Sequence, residues 1–578
     1  MSDPTLTVEV RLPDALKPAV ADKLARAAEE DVAGKLARGD ATLWGPPSTP
    51  ELADRLGWLT IAERMLGQAD ELTAFADGAA ASGLRDVVLL GMGGSSLAPE
   101  VLRRCFGHRP DRPRLHVLDS TDAATVRAVE QTIDPQRTFF LVSSKSGGTI
   151  EPLSLFAHFW SIVAEGSSFA AITDPGSGLE KIAHEHGFRQ VFAGDPDIGG
   201  RYSALSAFGI VPAALIGVDV RALLQGAATA WQTAINGNNA EAAGRTAGDG
   251  NDPELAGASA TDHTDQPADT LGAGVWMGAA LSALARAGRD KLTFVISESL
   301  PGLGLWLEQL VAESTGKHGT GILPVADEPL GDPDVYGEDR VFAYLPDIDA
   351  PNPALDARAQ ALADAGHPVI TVPTRGPGDL GRVFLLAELA VAVAGWGLQI
   401  NPFDQPNVQQ AKDATNRVLA GYETTHELPA VPDADDGALR ALLAGASPPS
   451  YVAIMGYVQP SAGFDAAVSE LRAAIRNATK ATTTFGYGPR FLHSTGQFHK
   501  GGPKTGRFLQ LLHDGPEDVE IPGRVGGADS FTTLKNAQAI GDLETLRALD
   551  LPAERVRLQG ANPADALRAL TAKIKEML

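Results

Sequence analysis

The sequence predicts an α/β fold: two doubly wound parallel-sheet subdomains, a helical N-terminal layer and a C-terminal α/β appendage. Short apolar runs alternate with helical periodicity across residues 81–235 and again across 272–420, the pattern of right-handed crossovers in a parallel sheet. Those runs are continuous rather than alternating, as in strands buried on both faces. Two of them, 52 residues apart from Val87 to Phe139, break directly into small residues. Ligands of such sheets lie at the carboxyl ends of strands, where both loops fall.

Taken in chain order, residues 1–80 carry Ala/Leu periodicity broken by charges, as in Leu16 to Leu36 and Ala53 to Phe75, and read as helices. The first subdomain, 81–235, holds the runs Val87–Leu90, Leu115–Leu118, Phe139–Val142 and Phe169–Thr173. Residues 236–271 have no aromatic, no lysine, one arginine and seven acids, too little apolar area to offset ordering entropy. A flexible surface insertion is expected there. The second subdomain, 272–420, contains Leu292–Ile296, Val341–Leu345, Val369–Val372 and an apolar helix from Val383 to Gly397. Residues 421–450, rich in Pro, Ala and Asp, read as a linker. The last unit, 451–578, opens on Tyr451–Met455 and contains an amphipathic helix, Phe464 to Ala478, and a charged terminal helix, Ala564 to Met577.

Composition narrows the function. The 578 residues are 44% hydrophobic and 21% charged, as in a globular enzyme with a large core. The formal charge of −24 argues against non-specific nucleic-acid binding. Met1 leads into charged residues without a signal-like apolar region, and no uncharged apolar run reaches the roughly 18 residues needed to span a bilayer. A cytoplasmic location with no membrane partner is the expectation. The single cysteine, Cys105, fits a reducing compartment and reads as a buried thiol.

The loops suggest the ligand. Gly91-Met92-Gly93-Gly94-Ser95-Ser96 follows the first strand, and Ser143-Ser144-Lys145-Ser146-Gly147-Gly148-Thr149 the second. Missing side chains let backbone N–H groups approach an anion, and the next helix offers its positive N-terminus. Gly94, Ser95, Ser144, Lys145, Ser146 and Thr149 are the candidates, with Lys145 as the cation countering the acidic protein. A phosphate monoester suits such a site. Neither loop has the spacing of a dinucleotide fingerprint or a P-loop.

Together the loops are narrower than either alone. Gly-x-Gly-Gly-Ser, followed about fifty residues later by Ser-Lys-Ser-Gly-x-Thr-x-Glu, which ends on Glu151, resembles the sugar isomerase fold and, within it, the glucose-6-phosphate isomerase family. Three later motifs extend the resemblance. Gln309-Leu-Val-Ala-Glu313-Ser-Thr-Gly-Lys317 is similar to the family's catalytic segment, which implies that Glu313 is the base and Gln309 a substrate-positioning neighbour. Gly199-Gly200-Arg201-Tyr202-Ser203 implies that Arg201 binds negative charge on an enediolate. Asn401-Pro-Phe-Asp-Gln405-Pro-Asn407-Val408 places Gln405 on the phosphate and Lys412 at the ring oxygen, with Asn407 where the family usually has Gly. The resemblance implies two sugar isomerase subdomains and a small-molecule sugar phosphate as substrate. It implies no cofactor and no metal for an internal proton shift.

The family's ring-opening histidine usually lies between the glutamate and the lysine. Here Phe491-Leu-His493-Ser-Thr-Gly-Gln497 follows the lysine instead, an order that resembles the isomerase half of fused transaldolase–isomerase proteins, without a transaldolase-like barrel ahead of it in this sequence. Ring opening is carried onto His493, with His318 and His499 as rivals. In the family this histidine can come from a neighbouring subunit, which implies a homodimer. Lys500 to Lys504 form a basic run that is either a further anion contact or an exposed loop. Two alternatives stand beside glucose 6-phosphate/fructose 6-phosphate isomerisation: an isomerase that also takes mannose 6-phosphate, and a non-catalytic sugar-phosphate sensor.

Overall fold

The computed structural model describes residues 6–246 and 270–578, with side chains outside 237–270. Three sheets form the frame. In the first, β2 (Asp86–Gly91), β3 (Arg114–Leu118), β4 (Thr138–Ser143), β5 (Phe169–Thr173) and β6 (Gln190–Ala193) are all parallel, in the order β3-β2-β4-β5-β6. The second has the order β1-β10-β9-β7-β8, with β7 (Lys291–Ile296), β8 (Leu323–Val325), β9 (Arg340–Leu345) and β10 (Val369–Thr371) parallel. Its edge is β1 (Glu9–Arg11), antiparallel to β10. The N-terminal layer is therefore not purely helical: a strand of three residues, with no apolar run to announce it, closes the sheet edge.

The third sheet, β12-β11-β13-β14, joins β11 (Tyr451–Tyr457), β12 (Thr482–Tyr487), β13 (Gly506–Leu512) and β14 (Ala553–Arg557), all parallel. The appendage is thus a third doubly wound unit. The order reverses between β2 and β4, between β7 and β9, and between β11 and β13, which puts a topological switch in each sheet.

Two expectations about connections are corrected. Residues 421–450 are more than a linker: the Val408–Thr425 helix runs into them, and a helix over Asp436–Ala444 buries Leu439, Leu442 and Leu443 in the C-terminal core. Leucines at that spacing share one face, and the surrounding Pro and Asp hid the stripe. Of the expected insertion 236–271, the first part belongs to the helix Val220–Thr246 and the end to the helix Thr270–Arg286. Residues 247–269 lie outside the described residues.

The units are not beads on a string. One core holds Val87, Leu89 and Phe139 of the first sheet with Leu292, Phe294 and Ile370 of the second. A second core packs Val88, Leu90 and Phe140 against Phe531, Leu534 and Ala537 of the C-terminal unit. A third joins Ala312, Leu323 and Val325 to Tyr451, Phe491 and Phe498. The Gly376–Leu398 stretch is long and apolar enough to cross a membrane, yet 89% of its apolar window is buried within this fold, where it is a core helix.

Candidate active site

Glu313 lies in the last turn of the helix Leu303–Thr315, one helical turn from Gln309. Gly302, in the left-handed region at φ 82°, starts the helix. The helix is nearly all buried, so Glu313 is 7% exposed, and burial pushes its pKa above the ordinary glutamate value despite the opposing charges of Arg201 and His493. Gln309 Nε2 is 3.5 Å from Glu313 Oε2 and donates to the His493 carbonyl at 2.8 Å. Its buried Oε1 has no hydrogen-bond partner.

Arg201 is 1% exposed. Its Nε donates to Ser314 Oγ at 2.8 Å, Nη2 to the carbonyls of Pro402 and Asp404 at 2.6 and 3.0 Å, and Nη1 to Gln405 Oε1 at 2.9 Å. Nη1 is also 3.4 Å from Glu313 Oε2. Gln405, which the resemblance puts on the phosphate, accepts from Arg201 and donates through Nε2 to Glu51 at 3.1 Å. Lys317, given no role by the sequence, is buried in the same cluster. Its ammonium donates to the Asn401 and Asp404 carbonyls at 2.8 and 2.6 Å and pairs with the Asp404 carboxylate at 2.7 Å. Burial and the Arg201 charge push it down to about 7. Arg201 and Lys317 thus grip one loop from two sides.

A cavity of about 300 Å³ is lined by Gly148, Thr149, Glu151, Lys412, His493 and Gln538 among others, and Gln309 joins Glu313 to it through the His493 backbone. Thr149 caps the helix Ile150–Val163 without spending its side chain on the cap, so the first-turn N–H groups face a ready anion site. Ser144 Oγ lies 3.3 Å from Thr149 Oγ1, and Ser146 is exposed beside it. Lys145 departs from expectation. Its ammonium donates to both Asp174 oxygens at 2.9 and 2.7 Å and to the Asp195 carbonyl at 2.6 Å, which occupies all three protons. Exposed Lys412 is the cation that lines the cavity.

The first loop is a joint. A Cβ on Gly94 would sit 2.0 Å from the Gly200 carbonyl oxygen, and one on Gly93, at φ +55°, 2.9 Å from both Gln309 Nε2 and the His493 carbonyl. Glycine here lets three segments meet. Ser95 and Ser96 are buried, and Ser96 Oγ donates to the Gly93 carbonyl and to Asp119, each at 3.2 Å.

His493 Nε2 lies 2.8 Å from Glu151 Oε1. Burial raises Glu151, but the facing imidazole and the charge of Lys412 outweigh it and hold the carboxyl below the usual range. An ionised Glu151 only accepts, so His493 Nε2 carries the proton and Nδ1 is left for chemistry. Of the three candidate histidines, His493 lines the cavity. His499 is buried, bonds the Tyr451 hydroxyl at 2.9 Å and is pushed down to about 3, whereas His318 is exposed. Lys500 is buried against Asp542 at 2.7 Å, and only Lys504 of the basic run is exposed. Asn407 keeps φ at −93° and binds Gln497, so it needs no glycine. Half-buried Cys105 has its thiol pushed up to about 12 by burial.

The phosphoglucose isomerase family model matches residues 60–241. A glucose-6-phosphate isomerase of Rubrobacter xylanophilus is 30% identical over 386 residues, covering 58% of this chain and 82% of that protein. The chain belongs to the glucose-6-phosphate isomerase family. Another glucose-6-phosphate isomerase, from Thermus thermophilus, is 29% identical over 385 residues, covering 58% of this chain and 84% of the relative. Among solved structures, a glucose-6-phosphate isomerase from Chlamydia trachomatis shares the fold with TM-score 0.55 at 18% identity, over 72% of this chain and 88% of that one. A hypothetical protein of Thermus thermophilus shares it with TM-score 0.56 at 24% identity, over 71% and 100%.

Proposed function

We propose that the chain interconverts glucose 6-phosphate and fructose 6-phosphate through a cis-enediol, at a site completed within one chain. The carrying observation is Gln309, whose amide touches the buried Glu313 on one side and the His493 segment on the other. Gln309 thereby ties the helix of the base to the backbone of the residue whose imidazole lines the cavity with Thr149.

The phosphate sits at the N-terminus of the Ile150–Val163 helix, held by Thr149, Ser144 and Ser146. With Nε2–H donated to Glu151, His493 Nδ1 takes the proton of the anomeric hydroxyl and delivers it to the ring oxygen as the ring C–O bond breaks and the C1 carbonyl forms. Lys412 offsets charge on that oxygen. Glu313 then takes the C2 proton and returns it at C1, while Arg201 faces the enediolate charge. A raised pKa makes Glu313 a stronger base than a solvated glutamate. It must be ionised to act, so the acid limb of kcat/KM falls above 4.5, the ordinary glutamate value. The contact between His493 and Glu151 within one chain supports the reading of a site that one chain completes.

A coupled assay on fructose 6-phosphate tests this. Glu313→Gln is expected to lose roughly 10²–10⁴-fold in kcat. His493→Ala is expected to slow turnover of cyclic sugar more than that of open-chain substrate. Equal rates from native protein and Glu313→Gln would dismiss the base.

A further inference from the structure

The helix Phe531–Ala548, in the C-terminal unit, points three buried polar side chains at the site from one face: Lys535, Gln538 and Asp542. Lys535 Nζ pairs with Asp122 at 3.0 Å, just past the carboxyl end of β3. Asp542 pairs with Lys500, seven residues after His493. Gln538 stands between them. Its Nε2 donates to Glu151 Oε1 at 2.8 Å, the same oxygen that His493 Nε2 meets at 2.8 Å. Its Oε1 accepts from the Thr121 hydroxyl at 2.7 Å, which fixes the amide with its N–H toward Glu151. All these groups but His493 are buried, and Gln538 itself lines the cavity.

We propose that Gln538 is a positioning residue for ring opening. With Thr121 it locks the Glu151 carboxylate, and through that carboxylate it sets the plane and tautomer of His493. An imidazole is only as well oriented as the acceptor behind it, and a carboxylate held by one donor is free to turn. The same helix fixes the other half of the pair, because Asp542 anchors the segment that follows His493 through Lys500. One helix of the appended unit therefore registers donor and acceptor against each other. This inference rests on His493 being the ring-opening group.

The test isolates ring opening from isomerisation. Interconversion of the α and β anomers of glucose 6-phosphate needs the ring to open but no C2 proton transfer, so it is read by NMR magnetisation exchange in a Glu313→Gln background. That background is expected to exchange anomers. Adding Gln538→Leu is expected to slow exchange about 10–100-fold, the range for losing a hydrogen bond to a charged group, with substrate affinity kept. Gln538→Glu supplies conditional rescue. As a neutral acid its O–H donates to Glu151 as the amide does, and once ionised it repels Glu151. Its exchange rate should therefore fall with rising pH, with Glu151, His493 and Lys412 lining the same cavity and the Lys535–Asp122 and Lys500–Asp542 pairs and the Tyr457 hydroxyl packed around it.

Loss of substrate affinity and exchange in equal measure, or unchanged exchange in Gln538→Leu, would overturn the positioning role. A Gln538→Leu chain that fails to fold leaves the pH profile of Gln538→Glu to decide, and a flat profile there would also overturn it. His493→Ala in the same background separates the two failures. If it exchanges anomers at the full rate, the ring-opening assignment falls; if it is slow while Gln538→Leu is fast, only the inference about Gln538 falls.

Discussion

The loops after β2 and β4 look alike in sequence and serve different ends in the structure. Both are runs of Gly and Ser at the carboxyl edge of one sheet. In the first, glycine is demanded by protein: Gly94 abuts Gly200, and Gly93 abuts Gln309 and the His493 backbone. In the second, Gly147 at φ +68° is likewise packed against Ser177 to Leu179, but Gly148 has no atom within 4 Å of where a Cβ would stand, and its neighbour Thr149 faces the cavity. Small residues at a ligand edge thus have two distinct causes, close packing of the parts that carry the chemistry and open room for the ligand. Only tertiary contacts tell them apart.

That contrast can be broken by substitution. Gly94→Ala forces backbone to move and is expected to lose about 1–3 kcal/mol of stability or more, seen as a lowered melting temperature, together with most activity as the joint opens. Gly148→Ala should leave melting unchanged; equal damage from both would erase the distinction. Next in size, Thr149→Val is expected to raise KM for fructose 6-phosphate roughly 10–100-fold at constant stability, as for a lost hydrogen bond to a charged group. Lys145→Met, by contrast, should change KM by no more than about twofold, since its ammonium is already held by Asp174. A large KM rise there would return Lys145 to the phosphate site.

The smallest effect separates packing from chemistry on the Leu303–Thr315 helix. Glu308, next to Gln309, is buried, and burial pushes it up to about 8 from an ordinary 4.5. A carboxyl raised in the folded state keeps its proton where the unfolded chain has lost it. The protein therefore binds more protons folded than unfolded between those values, and stability declines as pH rises through that window. Glu308→Gln should flatten the decline in melting temperature between pH 5 and 8. An unchanged slope would show that Glu308 is ionised in the fold.

Legibility in the sequence followed whether a signal was local. Strands β2, β4 and β7 announce themselves as continuous apolar runs, and the second loop, Glu313 and Arg201 sit in motifs with close spacing. Strand β1 has three residues, two of them charged, and exists because an edge of the second sheet receives it. Lys317 stood in the quoted Glu313 segment, but nothing local shows that its ammonium holds the 401–404 loop. Lys145 carries the right charge in the right loop, and only Asp174, 29 residues on, decides where it turns. His493 and His499 lie six residues apart, and burial against Tyr451 separates them. Gln538 and Asp542 read as ordinary helix polarity, because their partners are far away along the chain.

The first loop is where the Glu313 helix, the Arg201 turn and the His493 segment meet, and the proposed site is completed within one chain. Co-expression of Glu313→Gln and His493→Ala chains, each impaired on cyclic sugar by itself, tests this most directly. Activity no greater than the sum of the two separate variants is predicted, because neither chain can lend its intact residue to the other. Activity well above that sum, lost again on dilution, would show that base and imidazole come from different subunits and would contradict the account.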